Sequence, residues 1–96
     1  MPEATTPWRR AVINGSVAGA ELGDELVLLN VETGVYFGLD AVGADIWKLL
    51  AKGATESEIV DRLLAEYDVE PGRLRAELAA FLAALEDKGL ARIVRG

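Results

Sequence analysis

The apolar positions of this chain change period near residue 40. Before that point they fall in short runs separated by Asn-Gly, Gly-Asp and Thr-Gly pairs; after it they recur every three or four residues. Runs bounded by turn residues read as strands, and the longer period reads as helices. Arg9–Ile13 is a possible short strand, closed by the turn signal Asn14-Gly15. Ser16–Leu22 is a weaker strand, interrupted by Gly19. Gly23-Asp24 forms a two-residue hairpin loop with Gly at positive φ. Glu25–Val31 (ELVLLNV) is the strongest strand: Leu26, Val27, Leu28 and Leu29 are apolar on both faces, which predicts a central, covered position. After the turn Glu32-Thr33-Gly34, Val35–Leu39 (VYFGL) returns antiparallel. Val35, Phe37 and Leu39 share one face, Tyr36 and Gly38 the other. Gly38, inside a strand, marks a bulge or a close backbone approach.

Three helices follow. Asp40 caps the first, about Ala41–Lys52, whose apolar stripe is Val42, Ile46, Leu49 and Leu50 with Trp47 beside it; Gly53 stops it. Thr55 to Glu58 is a capping box opening the second helix, which runs to about Glu66 with Ile59, Val60, Leu63, Leu64 and Tyr67 inward. Pro71 suits the first position of the third, which continues to about Lys88 and ends at Gly89. Its stripe is Leu74, Leu78, Phe81, Leu82 and Leu85, with Arg75 and Ala79 on one flank. Leu90, Ile93 and Val94 then close over the core. A three-stranded antiparallel sheet followed by three helices, the last two joined by a short turn, predicts an α+β domain of winged helix-turn-helix type. Residues 1–15 read as a flexible arm plus the possible strand, with Trp8 pinning the arm to the body, and residues 16–96 as the domain.

Composition narrows the chemistry. The 96 residues suit one domain with one core, and half of them are apolar. The chain has no Cys and no His, so it lacks thiolate chemistry, the commonest metal ligand and the commonest general base. Ser16, Ser57 and the threonines therefore have no imidazole to activate them, and the acidic residues fall at caps and on solvated helix faces. No catalytic residue, cofactor or metal site is expected, and the chain reads as a non-enzyme. A net charge of −6 opposes phosphate backbones and anionic membranes. No apolar run is long enough to span a bilayer, the N-terminus lacks a signal-peptide core, and a cytoplasmic location is expected.

What remains is binding. An edge strand presents unpaired N–H and C=O groups, and proteins blunt such edges with charge or proline. Val35–Leu39 has neither, so it suits a peptide added as an extra strand. Alternatively the N-terminal arm covers this edge, or two copies pair through it. A duplex-DNA regulator would use Arg73 and Arg75 on the third helix, but Glu66, Asp68, Glu70 and Glu77 surround them and no basic footprint exists.

The ordered series VLLN, ETGVYFGLD and AVGADIWKLL, then GATESEIVDRLLAEYDVEPGRLRAELAAFLAALEDKGL, resembles the PqqD-like family over roughly Ser16–Val94. Gly34, Tyr36, Phe37, Leu39, Gly43, Ile46 and Trp47 carry most of the likeness. The resemblance implies a precursor-peptide recognition element for ribosomally made peptides, in which the leader adds to the third strand of the sheet and packs on the third helix. Carried onto this chain, the peptide-binding residues are Val35, Tyr36, Phe37, Gly38 and Leu39, with Leu74, Arg75, Leu78, Ala79 and Leu82 as the opposite wall. Tyr36 and Phe37 point to opposite faces, so only one side chain lines the groove. The chain is most similar to the small recognition proteins of lasso-peptide clusters, whose partners are the precursor leader and a separate cysteine-protease-like leader peptidase. The alternative is the pyrroloquinoline quinone pathway, with a radical SAM enzyme as partner. Val35 departs from relatives that carry a polar or basic residue after the turn glycine. The chain is expected to be a monomer or homodimer.

Overall fold

The computed structural model describes residues 9–94; the expectations for the Met1–Pro7 arm and Trp8 lie outside the described residues. The order of elements is β1 Arg10–Ile13, β2 Val17–Leu22, β3 Glu25–Asn30, β4 Val35–Leu39, α1 Ala41–Ala51, α2 Glu56–Glu66, α3 Pro71–Asp87 and β5 Ala91–Val94. β2, β3 and β4 form the expected antiparallel meander with β3 in the centre. The fold is α+β, with three helices and the three-stranded sheet as read from the sequence. A second, two-stranded sheet pairs β1 with β5, from Arg10 opposite Val94 to Ile13 opposite Ala91. β5 was not anticipated: four residues after a helix give no period to read, and their partner lies at the other end of the chain.

Local chemistry sets the boundaries. Gly23 and Gly34 take positive φ (67° and 78°) at the two hairpin turns, where an L side chain would be strained. Asp40 accepts the Gly43 N–H at 2.8 Å and starts α1. Thr55 and Glu58 form the capping box of α2. α3 has Pro71 at its first position, and Glu70 caps it by accepting the Arg73 N–H at 2.7 Å. The N–H groups of Arg73 and then Gly72 hold the Glu70 carboxyl below the ordinary glutamate range.

One face of the meander meets the helices. Leu26 and Leu28 of β3 and Leu39 of β4 pack with Ile46, Trp47 and Leu50 of α1, Ile59 and Leu63 of α2, and Leu74, Leu78, Leu82 and Leu85 of α3. A buried leucine contributes roughly 1.5–3 kcal/mol, so this cluster is the main source of stability. The α1 stripe is rotated from the expected one: Ala44 is buried, while Val42 is exposed and Leu49 half-buried.

Two polar devices were also missed. Glu56, expected on a solvated face, is only 2 % exposed and forms a two-pronged ion pair with Arg9; its own N–H donates to the Arg9 carbonyl at 3.0 Å. The pair raises the Arg9 pKa, chiefly through the hydrogen bond to Glu56. The segment before β1 is thus fastened to the start of α2. Asn30, 2 % exposed, donates to the Gly89 carbonyl at 3.0 Å and accepts from the N–H groups of Glu32 and Thr33. Asn14 donates to the same carbonyl at 3.0 Å, so one oxygen ties both sheets to the end of α3. Among the described residues no helix is long and apolar enough to cross a membrane.

Candidate peptide-binding groove

β4 is a free edge of the meander, and the ladder fixes which of its groups are free. The Val31 N–H donates to the Ser16 carbonyl, and Leu22 and Glu25 flank a two-residue loop. Odd-numbered residues of β3 therefore bond to β2, and Leu26, Leu28 and Asn30 bond to β4. Their partners are Leu39, Phe37 and Val35. That leaves the N–H and C=O groups of Tyr36 and Gly38 directed away from the sheet. The backbone and side chain of each residue thus serve opposite sides. Tyr36 offers its peptide groups to the edge, and its side chain, 67 % exposed, stands on the face away from the helices. Phe37 bonds inward and sends its ring toward α3.

That ring is the floor of the groove. The Phe37 and Phe81 centroids lie 6.0 Å apart, and the Lys88 ammonium sits 5.5 Å from the Phe37 centroid. The contact is of the cation–π type. Beside Phe81 an apolar cleft of about 280 Å³ opens between α1 and α3, lined by Val42, Gly43, Ile46, Leu74, Leu78 and Phe81, with Asp40, Tyr67, Val69 and Glu77 at its margin. The Tyr67 hydroxyl donates to Asp45 at 2.6 Å, and this hydrogen bond, with lesser help from burial, pushes its pKa up to about 12. The margin is acidic at Asp40 and Glu77, and the floor is cationic at Lys88.

The residues read from the sequence are only partly brought together here. Val35–Leu39 forms the edge as expected, and Phe37, not Tyr36, supplies the side chain to the groove. Leu39 is buried in the core. Gly38 marks no bulge, because the register runs unbroken past it, and a Cβ built there would meet nothing within 4 Å. Leu74 and Leu78 line the cleft from below, but they are 5 % and 0 % exposed, and Leu82 at 1 % belongs to the core. Arg75 and Ala79 do not lie beside β4. At 3.6 residues per turn they stand about 120° and 160° round α3 from Phe81. Glu86, which shares their flank, accepts the Ile93 N–H of β5. The groove side of α3 is instead Glu77, Phe81 and Lys88. Sequence reading put the apolar stripe of α3 correctly but not which flank faces the sheet, and it missed Val42, Ile46, Glu77 and Lys88. The sequence held no signal for Val42, which fell on the expected inward stripe of α1 and whose exposure is seen only in the fold.

The second free edge, β2, carries Glu21, which pairs with Lys48 of α1 at 3.8 Å, and the cleft beside it is lined mostly by Asp24, Glu25, Asp45 and Lys48 rather than by apolar side chains. Of the two arginines a DNA reading would use, Arg73 is paired with Glu77 at 3.0 Å.

Comparison with known proteins identifies a family and two solved structures of similar fold. The family model for coenzyme PQQ synthesis protein D (PqqD) matches residues 25–91. Two solved structures are similar over nearly the whole chain. One, described as TbiB1 in complex with the TbiA(beta) leader peptide, is 47 % identical with a TM-score of 0.79, and the match covers 84 % of this chain and 94 % of the other. A second, described as lasso peptide synthetase B1 complexed with the leader peptide, is 25 % identical with a TM-score of 0.79, covering 86 % and 98 %. No curated protein matches the chain.

Proposed function

The chain belongs to the PqqD family, and from that premise we propose that it is a leader-peptide-binding protein of lasso-peptide biosynthesis, acting without catalysis of its own. The leader adds as a strand to β4. Its backbone bonds to the N–H and C=O groups of Tyr36 and Gly38, and alternate side chains lie over Phe37 and enter the cleft of Val42, Ile46, Leu78 and Phe81. The observation that carries this reading is the coincidence of an unblunted edge with an apolar cleft beside it, at β4 and not at β2. The two similar complexes, each described with a leader peptide, support the choice of ligand. The bound leader is handed to a separate cysteine-protease-like leader peptidase. The pyrroloquinoline quinone alternative, with a radical SAM partner, has the family description in its favour but not the 47 % identical relative.

An interface of one added strand suits a Kd from about 1 µM to 1 nM, roughly −8 to −12 kcal/mol. The test is a titration with synthetic lasso-type leader peptides, followed by amide NMR. Saturable shifts concentrated at Tyr36, Gly38, Phe81 and Lys88 are expected. Shifts confined to β2, or no shifts with any leader, sink the assignment.

A further inference from the structure

Lys88 is the C-cap residue of α3, half-buried, with its ammonium 5.5 Å from the Phe37 centroid. Among the described residues no carboxylate lies within 4 Å of that ammonium, in a chain of net charge −6. Arg9, Lys48, Arg62 and Arg73 each have such a partner. A lysine at a helix C-terminus is favoured by the open carbonyls there. This one makes no hydrogen bond to them among the described residues, and its side chain crosses the groove to β4 instead. An ammonium has three N–H donors, and a contact with a ring face leaves room for an anion at the others.

The groove has a direction. Gly89, next after Lys88, accepts a hydrogen bond from Asn30, the cross-strand partner of Val35, so α3 ends beside the start of β4. The first turns of α3, at Leu74 and Glu77, meet Asp40 at the far end of β4. One end of the groove therefore carries an ammonium and the other two carboxylates. The cation at the acidic end, Arg73, is already held by Glu77. Cross-strand neighbours share a face. A leader residue opposite Phe37 stands over its ring, beside the Lys88 ammonium. A residue two positions along, about 7 Å away, stands opposite Leu39. Leu39 adjoins the cleft wall, since a Cβ built on Gly43 would meet the Leu39 Cβ at 3.3 Å. That second residue faces the apolar cleft.

We propose that Lys88 is a specificity-determining residue of the groove, selecting a leader with Asp or Glu opposite Phe37, two positions from an apolar residue that enters the cleft. The inference rests on the adaptor reading and adds to it the charge pattern and register of the ligand. Ladder hydrogen bonds to Tyr36 and Gly38 hold any peptide backbone and leave the register open. The ion pair closes it. A slip of one residue turns the acid to the other face of the sheet. A slip of two toward the cleft sets it among apolar walls beside Asp40 and Glu77. The added strand also shields the pair from water, which strengthens it.

The experiment titrates the full chain, by fluorescence anisotropy, with a synthetic lasso-type leader peptide that it binds. Further peptides change each Asp or Glu singly to Asn or Gln, which leaves the protein untouched. One acid-to-amide peptide is expected to bind the parent about five- to twentyfold more weakly, and to bind Lys88→Gln as well as the unchanged peptide does. Lys88→Glu should bind the unchanged leader more weakly still, and recover most of the loss when that one leader residue is Lys. Thermal unfolding confirms that each variant is folded, and nuclear Overhauser contacts should place the selected residue at the Phe37 ring. The proposal is overturned if a leader without Asp or Glu binds equally tightly, or if every acid-to-amide peptide binds the parent within about twofold. It is also overturned if Lys88→Gln weakens all the peptides alike, because the ammonium would then be reading the leader's carbonyls. Failure of the parent to bind any leader is a different result: it overturns the groove, and this inference with it.

Discussion

The parity of β4 makes one substitution unusually informative. Proline at Tyr36 removes an N–H that, by the register, gives no hydrogen bond to β3, whereas proline at Phe37 removes one that does. Proline is tolerated on an edge strand when the lost N–H faces outward. Tyr36→Pro should therefore fold. Its cost falls on the added strand, where one ladder bond is lost and a leader carbonyl is left facing no donor. A net hydrogen bond is worth about 1 kcal/mol and an unsatisfied partner about 1–3, so the combined loss is about 2–4 kcal/mol, or roughly 30- to 900-fold in Kd. Phe37→Pro also strips the ring from Phe81 and breaks the ladder beside Leu28, which is 0 % exposed. That change should cost about 3–5 kcal/mol of stability. At about 4–8 °C per kcal/mol for a domain of this size, its Tm should fall by more than about 12 °C. Fluorescence anisotropy with a labelled leader reads binding, and thermal unfolding by circular dichroism reads stability. The reasoning is refuted if folded Tyr36→Pro binds leader within about twofold of the parent, or if the two proline variants lose stability equally. A charge at Leu78 is a poorer test, because that side chain is fully buried and the variant would report on folding.

Arg9→Ala removes the two-pronged ion pair to the Glu56 carboxylate, which is 2 % exposed; with Arg9 itself partly solvated, a loss of about 2–3 kcal/mol in a urea unfolding curve is expected. Asn30→Asp removes the donor to Gly89 and sets a carboxylate oxygen against that carbonyl, and should cost about 2–4 kcal/mol by the same measurement. Tyr67 provides a pH test. Its pKa is raised from 10.0 to about 12, so the folded state prefers the neutral phenol. This contribution is fully present below pH 10 and is lost as pH rises through about 12. Tyrosinate absorbance should show a late-titrating phenol that Tyr67→Phe removes, and the parent's stability advantage over Tyr67→Phe should shrink between those two values. An advantage that persists undiminished above pH 12 would contradict the Asp45 hydrogen bond as its source.

The meander, the three helices and their caps were legible because each rests on local chemistry. Gly23 and Gly34 at the turns, Asp40 and Thr55 at N-caps and Pro71 at the first turn of α3 act within a few residues of themselves. What could not be read was long-range. β5 has meaning only beside β1, about eighty positions earlier in the chain. Glu56 looks like an ordinary first-turn acid until Arg9 arrives at it from the other side of the sequence. The flank of α3 was misjudged for a related reason. Arg75 with Ala79 was named as the groove flank although nothing local in α3 marks which side of its apolar stripe faces the sheet, and the packing of Phe81 on Phe37 shows it.

The doubly apolar character of β3 supported an inference that was half right. Leu26 and Leu28 are covered, as that pattern required, but Val27 and Leu29 are only partly buried and lie outside the core cluster. A central strand with apolar residues on both faces and a cover on only one has surface it does not use internally. Stability alone would favour Thr or Lys at those outward positions, since polar residues there cost the fold little and improve solubility. Gly38 points the same way: it carries no side chain to shield Val27, its cross-strand neighbour, and a Cβ there would have open space. The groove needs nothing from these side chains, because it takes only peptide groups from Tyr36 and Gly38.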